Sequence, residues 1–129
     1  MKKFFLFLFL TAALFIFKTT NVEAAANVVI SEFASRGPAG AYDEFVELYN
    51  PTGAVISFAG WKIQSKSADG GSWTNRTGTA GLSATASIQS HGYYLIAAKD
   101  YSRSVTPDYR HSANWGLTDT GGHIRLINS

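Results

Sequence analysis

The sequence predicts an all-β protein, a β-sandwich preceded by a signal peptide. Three observations predict it. An apolar leader ends near residue 26. Twelve glycines, all beyond the leader, cut the rest of the chain into short pieces. Between those glycines lie runs of β-branched and aromatic residues, and no uninterrupted helical period of useful length survives.

Met1-Lys2-Lys3 is a charged start, and Phe4 to Phe17 is a 14-residue apolar run. At helical rise that run spans about 21 Å, short of the roughly 30 Å of a bilayer core, so it reads as an export signal rather than an anchor. Val22-Glu23-Ala24 and Ala24-Ala25-Ala26 both place small residues before a cleavage point, so cleavage is expected after Ala24 or Ala26. Residues 1–26 are therefore assigned to a signal peptide and 27–129 to one domain, large enough for a single modest core. The leader holds Lys2, Lys3 and Lys18 against Glu23, which accounts for the whole net charge of +2. Residues 27–129 are formally neutral and offer little counterion-release drive onto nucleic acid, so no strong non-specific nucleic-acid binding is expected. The absence of cysteine excludes a disulfide framework, a thiolate metal site and a lipoprotein anchor.

Val28 to Phe33 opens the domain as its first strand. In Asp43 to Tyr49, Glu44, Val46 and Leu48 share one face, and Phe45, Glu47 and Tyr49 the other. Asn50-Pro51-Thr52-Gly53 supplies a turn, because proline presets φ and glycine accepts positive φ. Val55 to Phe58 is a short run. Trp61 to Lys66 alternates, with Trp61, Ile63 and Ser65 inward and Lys62, Gln64 and Lys66 outward, the pattern of a half-buried strand. Ser67 to Gly81 reads as a long loop with a short strand near Ser72 to Arg76. Ala84 to Gln89 and Tyr93 to Ala98 flank Ser90-His91-Gly92 and read as a hairpin. Lys99 to Asn114 reads as a polar connection broken by Pro107, Leu117 to Gly122 as a turn, and His123 to Ile127 as a last strand with Ile124 and Leu126 facing in. Seven or so short strands at this spacing predict a sandwich, with a small barrel as the alternative.

Glu44-Phe45-Val46-Glu47-Leu48-Tyr49-Asn50-Pro51 followed by Gly60-Trp61-Lys62-Ile63 resembles the lamin tail domain family. Ile30-Ser31-Glu32-Phe33, Ser90 to Ile96 and Leu117 to Leu126 resemble that family's opening strand, mid-domain turn and later turn and strand. The resemblance implies an immunoglobulin-like β-sandwich without a catalytic site, a binding or tethering module that in prokaryotic members is typically exported. It also implies a further turn and strand after the last one here, so a C-terminally truncated domain is expected. The motif residues have structural readings: Pro51 fixes a sharp strand exit, Gly60 permits close backbone approach where Trp61 turns into the core, and Glu47 is partly covered and accepts hydrogen bonds.

Several chemical signals fail on inspection. Asp119-Thr120-Gly121 matches the aspartic protease triplet, but it sits in a polar turn region where Asp-Thr-Gly-Gly is ordinary turn chemistry. Asp43, Glu44 and Glu47 offer hard ligands for Ca²⁺, yet strand alternation points Glu44 away from the other two, and a solvated strand face is the simpler reading. His91, His111 and His123 lack metal-ligand spacing. No catalytic residues, cofactor or metal are therefore expected. Trp73, Tyr101 and Tyr109, placed in loops, are the candidate binding surface, able to stack on sugar rings or a protein, against the alternative that they anchor long loops. The expected function is a secreted or cell-envelope module, periplasmic in a cell with two membranes, that binds a protein or cell-surface component without membrane attachment once the signal is removed. The alternative is the N-terminal accessory domain of a longer secreted nuclease or phosphoesterase.

Overall fold

A computed structural model describes residues 27–128, and the predicted signal peptide with Ala24 and Ala26 lies outside them. Among the described residues the chain is all-β, with strands β1 (Val29–Ala34), β2 (Phe45–Tyr49), β3 (Ile56–Ser57), β4 (Lys62–Ser67), β5 (Thr74–Asn75), β6 (Ser87–Ile88), β7 (Tyr93–Ala97), β8 (Tyr109–Arg110) and β9 (Gly122–Ile127). They form an immunoglobulin-like sandwich. One layer is the sheet β1-β2-β7-β8; the other holds β5-β4-β9 and the short pair β3-β6. The core lies between the layers. Val46, Leu48 and Ile96 point in from the first, Ile63 and Ile88 from the second, and Phe58, Leu82 and Trp115 fill from loops. This is the alternation that period-two burial requires.

The edge strand β1 carries a bulge. Ile30 pairs with Leu48 and Glu32 with Glu47, leaving Ser31 as the extra residue. Without it Ile30 and Phe33, three apart, would face opposite layers. With it Phe33 pairs with Val46 and shares its inward face. Ser31 also ties the bulge down: its hydroxyl donates to Glu47 Oε1 at 2.7 Å.

Two expectations about connections are corrected. Ser90-His91-Gly92 does not close a hairpin, since β6 pairs with β3 whereas β7 pairs with β2 and β8. The segment is instead a corner between layers. The buried Asn50 side-chain amide donates to the carbonyls of Ile88 and Gln89, and the Asn50 backbone N–H donates to the Gly92 carbonyl. Those long-range bonds fix the path and leave β6 free to cross to the other layer. The connection Lys99 to Asn114 is not wholly irregular either. It contributes β8, which runs parallel to β7 and covers that sheet edge.

Candidate functional site

The motif run beginning at Glu44 is built into the scaffold. Glu44 is fully buried, and its carboxylate accepts the backbone N–H groups of Trp115 and Gly116 at 2.7 and 3.1 Å and of Leu117 on its other oxygen. Three successive amides converging on one carboxylate form an anion nest that offsets the desolvation of the charge. The Glu44 backbone carbonyl accepts from Ala98. Asp43, also buried, faces the other way, and its Oδ1 accepts from Ser102 N–H at 2.9 Å while Oδ2 lies 3.7 Å from Arg103 Nε. The solvated-face reading of Asp43 and Glu44 is thus corrected, because backbone donors and a cation replace water at both carboxylates. Phe45, Val46 and Leu48 are buried, and Glu47 and Tyr49 are half-buried.

Asn50 closes the run as a staple. Its Nδ2 donates to Ala54, Ile88 and Gln89, and its Oδ1 accepts from Thr52 N–H and from the Thr52 hydroxyl. Pro51 sets the exit direction between these bonds. At Gly60 φ is +77°, and the turn is closed by Trp61 N–H donating to Phe58 at 3.1 Å. Gly81 passes so close that a Cβ there would collide with the Gly60 carbonyl. Trp61 packs edge-on against Phe58.

The outer face of β5-β4-β9 has a different character. Register places Lys62, Gln64 and Lys66 of β4 beside Ile127, Arg125 and His123 of β9 on that face. None of the three strands contains an acidic residue. Trp73, just before β5, lies among the charges, with the Arg125 guanidinium 4.0 Å and the Lys66 ammonium 5.1 Å from its ring centroid. Arg125 Nε donates to Gln64 Oε1 at 2.9 Å, and Gln64 Nε2 to Asn75 Oδ1 at 2.7 Å. The ring and the amide relay hold the guanidinium in place, and its terminal nitrogens have no carboxylate partner among the described residues.

The Lamin Tail Domain family model matches residues 21–129. The chain belongs to the lamin tail domain family. No curated protein matches it. The family is one of non-catalytic immunoglobulin-like domains, which accords with a motif whose buried polar atoms are spent on the scaffold.

In this lamin tail domain the three loop aromatics do not form one surface. Tyr101 is 7% exposed and packs edge-on against Phe45, so it is corrected from a binding residue to a core residue. Its burial is enforced from outside, because Arg110 donates to the carbonyls of Ala98, Lys99 and Tyr101 and clips the loop down. Tyr109 is half-buried, and its hydroxyl donates to Thr77 at 3.3 Å, bracing β8 against the other layer. Trp73 is half-buried with cations against its ring, so it positions charge rather than offering a bare stacking face. Asp119 of the protease-like triplet is exposed and pairs with Arg36 at 2.6 Å. Among the described residues no three His, Cys, Asp or Glu side chains gather as metal ligands. The cationic face escapes a sequence reading because alternation shows its β4 and β9 halves only separately; the pairing register brings them side by side.

Burial pushes the Tyr101 phenol up from its usual value, with Arg103 opposing and Asp43 adding, and pushes Tyr94 up with Asp108 and Tyr109 adding. A phenol whose folded pKa is raised stabilises the fold fully below the unfolded value of about 10 and loses that contribution as pH rises through the folded value. Tyrosinate absorbance is therefore expected to show two phenols titrating late, with unfolding following in strong alkali. Removing both by Tyr94→Phe and Tyr101→Phe should delay that alkaline unfolding; unchanged alkaline unfolding would refute the assignment.

Proposed function

We propose that this lamin tail domain is an exported, non-catalytic module that tethers to a cell-surface component through the outer face of β5-β4-β9. The observation that carries the reading is the set Lys62, Lys66, His123 and Arg125 on one sheet face with no acidic residue in its strands. The remainder beyond the signal is neutral in total, but four of its eight carboxylates, Glu32, Asp43, Glu44 and Glu47, belong to the opposite layer. Asp69 and Asp119 lie in the turns beside the face, and Asp119 is paired with Arg36. A cationic sheet face steers toward and holds an anionic surface, and such attraction weakens as salt shortens the Debye length. Trp73 lowers the ordering cost by holding Arg125 and Lys66 before any partner arrives.

Cosedimentation of the purified protein with isolated cell envelopes of its source tests this. Retention is expected at low salt, with release as salt rises. The double substitution Lys62→Glu and Arg125→Glu is expected to weaken retention by at least about tenfold, the equivalent of roughly 1.4 kcal/mol. Its melting temperature should stay close to wild type, since both side chains point outward. Retention unaffected by the double substitution would sink the reading.

A further inference from the structure

At one end of the sandwich a cavity of about 490 Å³ opens between the end of β1 and the start of β9. Its size falls within the roughly 300–1,000 Å³ of small-molecule sites. Its floor is the inner side of β4, and its rim reaches Lys66 and His123 at the end of the outer cationic face, whereas Lys62 and Arg125 lie outside it. Its wall includes Arg76, which comes directly after β5 and turns inward. Arg76 Nε donates to Ser65 Oγ at 2.7 Å, and its terminal nitrogens meet no acceptor among the described residues. Glu44 is the carboxylate whose charge acts on Arg76, but its oxygens are held by the amides of residues 115–117. Burial pushes the Arg76 guanidinium down from its usual value, and Glu44 only partly counters this. The cation therefore sits where water serves it poorly and where a further anion would be favourable.

Ser65 is 4% exposed and accepts the bond from Arg76, while its own hydroxyl proton has no acceptor among the described residues. Thr118 is already committed, its hydroxyl donating to the Gly121 carbonyl. Lys66 and His123 add cationic or donor groups at the rim, and the one carboxylate there, Asp119, is paired with Arg36; Arg76 and Ser65 are the donors that hydrogen-bond each other and face inward from adjacent strand positions. Other parts of the wall are apolar. Phe33 faces inward by register yet is 55% exposed, because the cavity leaves its ring uncovered, and Leu117 and Ile124 lie with it. A guanidinium fork with a neighbouring hydroxyl suits an oxyanion, which can accept two parallel bonds from Arg and one from serine.

The geometry points to a site for a small organic anion, its carboxylate or phosphate head on Arg76 and Ser65 and its flat apolar body on Phe33. Benzoate and phenyl phosphate distinguish the two heads, and benzamide is the neutral isostere. Titrated into the purified protein and followed by amide NMR, at least one anion is expected to shift residues 65–67, 74–76 and 116–124, while benzamide at equal concentration does not. Arg76→Gln should weaken binding at least tenfold. Phe33→Ala, at an exposed position outside the charge network, should weaken it severalfold with the fold retained, and it decides the matter if Arg76→Gln does not fold. Silence from both anions, equal shifts from benzamide, or undiminished binding by either folded variant would overturn the assignment. Neither Lys62 nor Arg125 lines the cavity, so binding should persist in the outer-face double variant, and failure here is distinct from failure of envelope tethering.

Discussion

Glu44→Ala is expected to destabilise the protein by about 3–5 kcal/mol, the cost of removing one partner from a buried charged arrangement. Against a total stability of about 5–15 kcal/mol for such a domain, that removes a large part of the margin. Glu44 sits at the entry to β2 and faces the core beside Val46 and Leu48. Its two oxygens take the N–H groups of Trp115, Gly116 and Leu117. Alanine leaves three donors without acceptors, each worth about 1–3 kcal/mol when buried. It also leaves Arg76 without the carboxylate charge that acts on it. Glu44→Gln keeps the shape but turns an NH₂ toward at least one amide, so it should cost less than alanine and still exceed about 1 kcal/mol. Urea denaturation of the three proteins gives the order. Hydrogen exchange adds a local readout, since the amides of residues 115–117 should lose protection before the strands do. A loss below about 1 kcal/mol for Glu44→Ala would mean that another contact holds this segment.

Glu44 also shows what the sequence could and could not convey. Period-two alternation placed it on the face of Val46 and Leu48, which was the correct signal for burial. Its acidic neighbours suggested solvent instead, because the compensating amides lie 71 to 73 residues away. Strand positions were legible where a run of five or six residues alternated, as in β4, or stayed apolar and aromatic on both faces, as in β7. They were not legible in β8, a two-residue strand formed on the edge of β7 inside a polar stretch. Tyr101 illustrates the same limit: a loop aromatic has no periodicity to declare its side, and its burial depends on Arg110 clipping carbonyls nine to twelve residues away. The cationic face was half legible. Alternation turns Lys62 and Lys66 outward in β4 and His123 and Arg125 outward in β9, but they join only through a pairing register that the sequence does not display.

Asn50→Asp changes only a few atoms and is expected to cost about 3–5 kcal/mol at neutral pH, comparable to leaving a buried charge unpaired. The Asn50 side-chain nitrogen faces three carbonyl oxygens, those of Ala54, Ile88 and Gln89, at 2.7, 3.2 and 3.0 Å. An ionised aspartate would present a second oxygen to them, turning attraction into repulsion in a site with no exposure. The opposite oxygen would keep its bonds from Thr52, so the loss falls on the corner that carries the chain from β6 to β7. Protonation restores one donor, and the folded protein therefore favours the neutral acid, raising its pKa above the unfolded value of about 3.9. That contribution is fully present below the unfolded value and is lost as pH rises through the folded one. The stability gap between variant and wild type should accordingly be smallest in acid and widen toward neutrality. Denaturation at a series of pH values measures it, with Asn50→Ala as a pH-independent reference at this position. A gap that stays constant with pH would show that the Asn50 amide does not hold the corner, and the path from β6 to β7 would then need another cause.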